Sequence, residues 1–236
     1  MSVSPGPSAA RNILLIGGTG LVGGALLARL QGRVAADSLW LPLRREPPTK
    51  TPGWHRLPIE PATAVATLDQ LEQRPRFATF ISCLGTTRRQ AGSAQAFVAT
   101  DRDLVLAWAE LARQRGAQHA LLVSSVGADP SSGNLYLRTK GEVEQAIGRM
   151  GFRRFDVLRP SLLIGKRSGP ARSAEAVGQA LSPYLDRLLV GRLRRYRSIR
   201  AEHLAAAVHA LIDQAEPGQY IHHHPQLTEW AGRSDS

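Results

Sequence analysis

The chain has 236 residues, of which 43% are hydrophobic, and this is enough for one domain with a real core. Its formal net charge is +11, but only Lys50, Lys140 and Lys166 are lysines, and the arginines are spread from Arg11 to Arg233. Charge dispersed in this way makes a nucleic-acid partner unlikely. A single cysteine excludes an internal disulfide and, with no convincing secretion signal or membrane-spanning segment, predicts a cytoplasmic protein.

The amino-terminal part predicts a tail followed by a nucleotide-binding turn. Residues 1–11 are mostly Ser, Pro, Gly and Ala, which is typical of a disordered tail, and we expect residues 12–236 to form one domain. An apolar run then passes through a G-x-x-G-x-x-G series, Gly17, Gly20 and Gly23, into a helical pattern that reaches Leu30. Such glycines let the backbone approach a pyrophosphate at a helix start. The alternative is a glycine-rich turn in an ordinary core.

The second predicted strand, Leu39–Leu43, ends in two arginines. Arg44 and Arg45 lie about 20 residues beyond the glycines, where a site specific for NAD usually carries an acid that binds the ribose 2′-hydroxyl. Arginines there favour the 2′-phosphate of NADP, which they bind through charge-assisted hydrogen bonds. The alternative is a solvated basic turn.

Strands and helices alternate along the next part of the chain. The predicted elements are a short strand 56–59, a helix 63–71, a strand 77–84, a long helix 94–115, a strand 120–123 and a strand 155–158. Because several of these strands are apolar throughout, the alternation predicts a parallel sheet that helices cover on both faces.

A group of reactive residue types follows the strand 120–123. Ser124 and Ser125 come directly after it, and Tyr136 and Lys140 then share one face of a helix. A nearby ammonium favours the phenolate, so the tyrosine becomes a usable proton donor or acceptor, and a serine hydroxyl could orient the reacting oxygen. The alternatives are an exposed tyrosine–lysine pair on an amphipathic helix and capping or turn roles for the serines.

Together these motifs resemble the atypical short-chain dehydrogenases/reductases, which have a glycine-rich turn, a serine and a Tyr-x-x-x-Lys pair. A narrower resemblance, to the Tat-interacting-protein-like NAD(P)-binding subgroup, rests on further segments: 83–88, 91–92, 101–103, 124–129 and 140–144. The resemblance implies a Rossmann-type, doubly wound parallel sheet that binds NADPH.

The resemblance also assigns residues to the cofactor and to the reaction. The pyrophosphate turn would be Gly17, Thr19, Gly20, Leu21 and Val22, and the adenosine phosphate would meet Arg44 and Arg45. The other cofactor-binding residues would be Leu84, Gly85, Thr86, Ser124, Lys140, Pro160, Leu162 and Leu163. Tyr136 would be the acid/base, Lys140 would support it, and Ser125 would position the substrate oxygen, with Ser124 as its substitute.

The long helix departs from the family pattern. Typical members carry an asparagine there that supports the lysine through water, whereas this chain has Thr100 and Asp101. Two functions are compatible with the motifs. One is an NADPH-dependent oxidoreductase acting on a small carbonyl or related substrate. The alternative is an NADPH-binding redox sensor or scaffold that presents a surface to a protein partner without turnover.

The carboxyl-terminal quarter carries weaker signals. We expect a helix within 171–189, an arginine-rich segment 187–200 and a helix 201–214, which together form a small cap on the substrate side from about residue 165. Three consecutive histidines, His222 to His224, alternate in direction on a strand, so they predict no metal site. Because most soluble oligomers are homo-oligomers and dimers are the commonest of them, we expect a monomer or a homodimer.

Overall fold

Nine strands and eight α-helices make up the part of the chain that the computed structural model describes, residues 12–31, 35, 38–44, 54–72, 74–165 and 189–234. The strands are β1 (Ile13–Ile16), β2 (Leu39–Leu43), β3 (His55–Pro58), β4 (Thr79–Ser82), β5 (His119–Val123), β6 (Arg154–Leu158), β7 (Leu163–Ile164), β8 (Ile199–Arg200) and β9 (Gly218–His222). The helices are α1 (Leu21–Leu30), α2 (Pro61–Asp69), α3 (Arg88–Ala91), α4 (Ala94–Val98), α5 (Leu104–Gln114), α6 (Leu135–Arg149), α7 (Ala201–Ile212) and α8 (His224–Ser234). A π-helical segment, Ala99–Asp103, joins α4 to α5, and a 3₁₀ helix spans Gly191–Tyr196.

Seven strands form one parallel sheet in the order β3-β2-β1-β4-β5-β6-β9. Ile13 of β1 is paired with Leu39 on one side and with Thr79 on the other. The chain therefore proceeds in opposite directions across the sheet from β1, and the carboxyl ends of β1 and β4 frame the crevice where such sheets bind ligands. This topology confirms the predicted doubly wound Rossmann-type fold.

Helices cover both faces of the sheet, as the apolar strands predict. Leu14 and Ile16 of β1 pack in a core with residues of α2, α5 and α6, whereas Ile13 and Leu15 pack in a second core with residues of α1, α7 and α8. Both faces of the central strands are thus removed from water, which is why those strands lack polar alternation.

The carboxyl-terminal residues extend the main sheet and one of its helical layers, whereas the sequence predicted a small cap. β9 extends the sheet by pairing with β6, with His222 opposite Leu158, and α7 and α8 complete the layer that contains α1. Only the β7–β8 pair forms a separate small sheet among the described residues. The predicted tail 1–11 and most of the predicted helix 171–189 lie outside the described residues.

The predicted helix 94–115 is interrupted. Its middle turn is the π-helical segment Ala99–Asp103, with regular α-helix on either side. Segments of this kind often occur at functional sites. No helix in the described ranges combines the length and the apolar character that a membrane crossing requires.

Candidate active site

The glycine turn lies between β1 and α1, directly against the end of β4. Gly17 has a φ of +79°, and a Cβ atom there would lie 2.5 Å from the carbonyl carbon of Cys83. A Cβ atom at Gly23 would lie 2.2 Å from the carbonyl oxygen of Gly17, which also accepts a hydrogen bond from the Gly20 N–H at 3.0 Å. Backbone therefore fills the space that any side chain at Gly17 or Gly23 would need.

The start of α1 fits a phosphate group. Gly20 is its N-cap and has no side chain to satisfy the first N–H groups, which have no partner within the helix. Thr19 and Gly20 are exposed, and the positive end of the helix dipole lies at the same place. Val22 is buried in the core, so it can offer only its backbone N–H.

The arginines that were predicted to select NADP follow β2. Arg44 is exposed directly after the last residue of that strand, and Arg45 lies outside the described residues. Since β2 is parallel to β1, Arg44 lies on the same carboxyl edge of the sheet as the glycine turn. The assignment of these two residues stays a prediction.

The end of β4 brings two predicted groups of residues together. A Cβ atom on Gly85 would lie 3.7 Å from Nζ of Lys140, and that Nζ donates a hydrogen bond to the carbonyl oxygen of Leu84 at 3.4 Å. The predicted cofactor-binding segment after β4 therefore lies against the predicted catalytic lysine on α6.

Lys140 is buried and forms an ion pair with Asp101 of the π-helical segment. Its Nζ lies 3.0 Å from Oδ1 of Asp101, which has no exposed surface. The Thr86 N–H donates to the same carboxylate, at 3.0 Å to Oδ2. Burial raises the pKa of Asp101 above its ordinary value, although Lys140 and the Thr86 N–H both act to lower it. In the sequence, Asp101 appeared within the segment 101–103 of the narrower resemblance and as a departure from the wider family pattern, and nothing local indicated this ion pair.

Tyr136 lies in the first turn of α6, one turn before Lys140. The side chain of Asn134 caps this helix by accepting the Tyr136 N–H at 2.9 Å and the Leu137 N–H at 3.3 Å. The Tyr136 ring is half-buried, with its centroid 6.0 Å from that of Phe97. Within the described residues its hydroxyl has no hydrogen-bond partner.

The loop after β5 is packed on α6. A Cβ atom at Gly141 would lie 2.3 Å from the backbone nitrogen of Pro130, so the loop touches the helix backbone directly. The Asp129 N–H also donates to the carbonyl oxygen of Leu137 at 3.1 Å. These contacts fix the serine loop relative to Tyr136. Ser125 is half-buried, and its hydroxyl donates a long hydrogen bond of 3.3 Å to the carbonyl oxygen of Val126.

Ser124 has a different environment from Ser125. Its hydroxyl is buried and donates a short hydrogen bond to Glu144 of α6, which also accepts Nε–H of Arg159 at 3.1 Å. Its backbone N–H donates to Leu158 at 2.8 Å. The side chain of Ser124 therefore ties the loop to the protein interior. Sequence reasoning gave no role to Glu144, although it lies in the segment 140–144, or to Arg159, which precedes the predicted cofactor-binding Pro160.

The segment after β6 passes the start of α1. The Val126 N–H donates to the carbonyl oxygen of Pro160 at 2.8 Å, and Leu162 is 46% exposed. Leu163 packs against the same core as Leu21, and a Cβ atom at Gly165 would lie 2.8 Å from Cδ1 of Leu21. The structure thus brings together the serine loop, the segment after β6 and the start of α1 after the glycine turn.

The first histidine of the run 222–224 is buried and binds a carboxylate in the main sheet. Nε2 of His222 lies 2.7 Å from Asp156 in the sheet, and Nε2 of His119 lies 2.7 Å from the other oxygen of the same carboxylate. Arg154 also donates to Asp156, at 2.6 Å from Nε. Burial acts to raise the pKa of Asp156, but these hydrogen bonds outweigh it and hold the pKa well below the ordinary value. His224 begins α8, so the three histidines do not converge.

Comparison with known proteins identifies relatives. No family model matches the chain. It is 35% identical to Protein fmp52, mitochondrial, of Emericella nidulans over 184 residues, covering 75% of this chain and 77% of that protein. It is 37% identical to Protein HTATIP2 of Rattus norvegicus over 161 residues, covering 66% of this chain and 64% of that protein.

Among solved structures, the Bordetella bronchiseptica enzyme WbmH in complex with NAD+ has the same fold. It superimposes with a TM-score of 0.63 at 15% identity, over 90% of this chain and 75% of that one. At this identity the likeness establishes the fold alone.

The predicted cytoplasmic location is contradicted by the fungal relatives, which are named as mitochondrial proteins. The cysteine count was a poor guide because it bears on disulfides and does not separate one reducing compartment from another. On sequence identity the chain belongs to the family of the FMP52 and HTATIP2 proteins, and its main sheet has the Rossmann-type topology.

Proposed function

We propose that the chain is an NADPH-dependent oxidoreductase that transfers a hydride between the cofactor and a small carbonyl or related substrate. The observation that carries this proposal is the position of Lys140, which lies against Gly85 at the end of β4 and one helical turn after Tyr136. A lysine placed in this way can serve both a cofactor bound at the strand ends and the tyrosine. The nicotinamide, when bound, supplies the hydride.

Binding of a dinucleotide is supported by the backbone at the glycine turn. The exposed N-terminus of α1 offers N–H groups and a positive dipole, and the backbone at Gly17 packs directly against the segment after β4. We expect the N–H groups of Leu21 and Val22 to bind the pyrophosphate. Arg44, and Arg45 beside it in the sequence, would select the 2′-phosphate of NADPH over the 2′-hydroxyl of NADH.

The proposed chemistry assigns a separate task to each side chain. Tyr136 would donate a proton to the substrate oxygen during reduction and accept it back during oxidation. Ser125 would orient that oxygen with its hydroxyl. Of the three donor hydrogens on Lys140, one serves Asp101 and one serves Leu84, which leaves one for the ribose of the cofactor.

Two measurements on purified protein test this proposal. The first is titration with NADPH and with NADH, followed by cofactor fluorescence, in which NADPH should bind more tightly. The second is cofactor consumption over a panel of aldehydes and ketones, with Tyr136→Phe as the matched variant. We expect this variant to lose turnover by at least about a hundredfold while its NADPH affinity is retained. Stoichiometric NADPH binding without consumption of any carbonyl would favour the alternative of a cofactor-binding sensor or scaffold.

A further inference from the structure

We propose that Asp101 is the positioning residue of this site, holding Lys140 by a direct ion pair and linking it to the strand end that meets the cofactor. This inference rests on the proposed function, because it assigns a role in the same site. Asp101 acts through Lys140 and is not itself a catalytic residue.

Asp101 lies on the inward face of the segment that joins α4 to α5. Its neighbours on that face, Phe97 and Val105, are apolar and fully buried, so a carboxylate there is an exception within a hydrophobic stripe. Burying an ionised carboxylate is unfavourable unless it is paired and hydrogen-bonded. Its retention in this position therefore requires a partner, and the partner is Lys140.

Three contacts surround the carboxylate. Lys140 Nζ lies 3.0 Å from Oδ1, and the Thr86 N–H lies 3.2 Å from Oδ1 and 3.0 Å from Oδ2. Lys140 in turn reaches the carbonyl oxygen of Leu84. The carboxylate thus binds both the ammonium and the backbone of the segment 84–86. Movement of that segment would disturb the lysine, and the reverse also holds.

The neighbouring charges are paired elsewhere. Arg102 binds Asp103 at 2.8 Å and Glu142 at 2.9 Å on the outer side of the segment. Glu144, on the same helix as Lys140, binds Arg159. Among the described residues, the ionised group in contact with Asp101 is therefore the Lys140 ammonium.

This arrangement predicts a dependence on pH. Because burial raises the pKa of Asp101, the carboxylate takes up a proton at a higher pH than an ordinary aspartate does. A protonated Asp101 no longer attracts the ammonium, so Lys140 loses its fixed position as the pH falls through that value. NADPH affinity and turnover should therefore both decrease as the pH falls below the pKa of Asp101.

The test compares Asp101→Asn, which keeps the size and loses the charge, with Asp103→Asn as the control. Asp103 is an exposed carboxylate two residues further on that pairs with Arg102. We measure the NADPH dissociation constant from neutral pH down to the acid limit of the folded protein, kcat and KM on an aldehyde reduced by the wild type, and Tm. Asp101→Asn should lose the acid-side decrease in affinity and lower kcat by about tenfold at neutral pH. Asp103→Asn should follow the wild type.

Repeating the Asp101→Asn substitution in a Lys140→Met variant separates an effect on the position of Lys140 from a general loss of stability. If Asp101 acts through Lys140, Asp101→Asn should not change NADPH affinity further once Lys140→Met is present, a non-additive result in a double-mutant cycle. An equal effect in both backgrounds, or a pH profile of Asp101→Asn that overlays the wild type, would overturn the inference. A wild type that binds NADPH with the acid-side decrease but reduces no carbonyl would instead overturn the proposed catalysis and leave the positioning role supported.

Discussion

The hydroxyl of Ser124 and the carboxylate of Glu144 form a buried hydrogen bond that joins the loop after β5 to the middle of α6. Arg159, which follows β6, donates to the same carboxylate at 3.1 Å. One acidic side chain thus connects the serine loop, the helix of Tyr136 and Lys140, and the segment that begins at Pro160. The geometry of the candidate site depends on this connection, although among the described residues Glu144 makes no hydrogen bond to Ser125, Tyr136 or Lys140.

We therefore expect Glu144→Ala to lower the free energy of unfolding by about 3 kcal/mol, because it leaves the Arg159 guanidinium without its partner in a largely buried place. Chemical denaturation measures this change. Glu142→Ala provides the control on the same helix, since Glu142 pairs with Arg102 at the surface and its loss should change stability by less than about 1 kcal/mol. Equal effects of the two substitutions would contradict the role given to Glu144.

The two neighbouring glycines Gly23 and Gly24 provide a test of the glycine turn. A methyl group at Gly23 would meet the carbonyl oxygen of Gly17 at 2.2 Å, whereas the nearest contact at Gly24 is 3.7 Å away. Gly23→Ala should therefore distort the turn and remove NADPH binding. Gly24→Ala should bind normally and gain up to about 1 kcal/mol of stability, because alanine is the better helix former. Calorimetric titration and thermal unfolding of both variants check this pair, and normal NADPH binding by Gly23→Ala would argue against the turn as the pyrophosphate site.

Cofactor selectivity should depend on Arg44. Arg44→Ala should weaken NADPH binding by about tenfold or more, because a charge-assisted hydrogen bond to the 2′-phosphate is lost, and should leave NADH binding nearly unchanged. The dissociation constants of both cofactors, measured at two salt concentrations, check this, since an exposed charge pair weakens with salt. Arg56→Ala on β3 provides a control for general loss of positive charge. An equal loss for both cofactors would remove the NADP assignment.

The parts of the site that could be predicted from sequence are those set by local geometry. The β1–α1 turn follows from the spacing of Gly17, Gly20 and Gly23, and the shared face of Tyr136 and Lys140 follows from the helical repeat. Apolar strands likewise indicated the parallel sheet. In each case a few consecutive residues carry the information.

What could not be predicted depends on partners distant in the chain. Asp101 meets Lys140 only because the π-helical segment packs on α6, and Glu144 meets Ser124 only once β5 and α6 are assembled. The histidine run was assigned to a strand, but the place of β9 beside β6 was not predicted, because its short sequence mixes polar and apolar residues and its partner strand is distant in the chain. Contacts between buried polar side chains from distant segments leave no periodic pattern in the sequence from which they could be predicted.

The buried carboxylate of Asp156 should make the protein sensitive to acid. Its pKa is held below the ordinary value by His119, His222 and Arg154, so the folded state binds fewer protons at this group than the unfolded state does. The stabilisation is present above the ordinary aspartate pKa of about 4 and is lost as the pH falls below it toward the folded value. Asp156→Asn should lower the free energy of unfolding by about 3 kcal/mol at pH 7, because Arg154 then lacks a counter-charge, and should flatten the decline between about pH 4 and pH 2. Asp69→Asn, which removes a surface pair with Arg115, should keep the decline of the wild type. Denaturation curves across this pH range would refute the assignment if Asp156→Asn and the wild type lost stability in parallel.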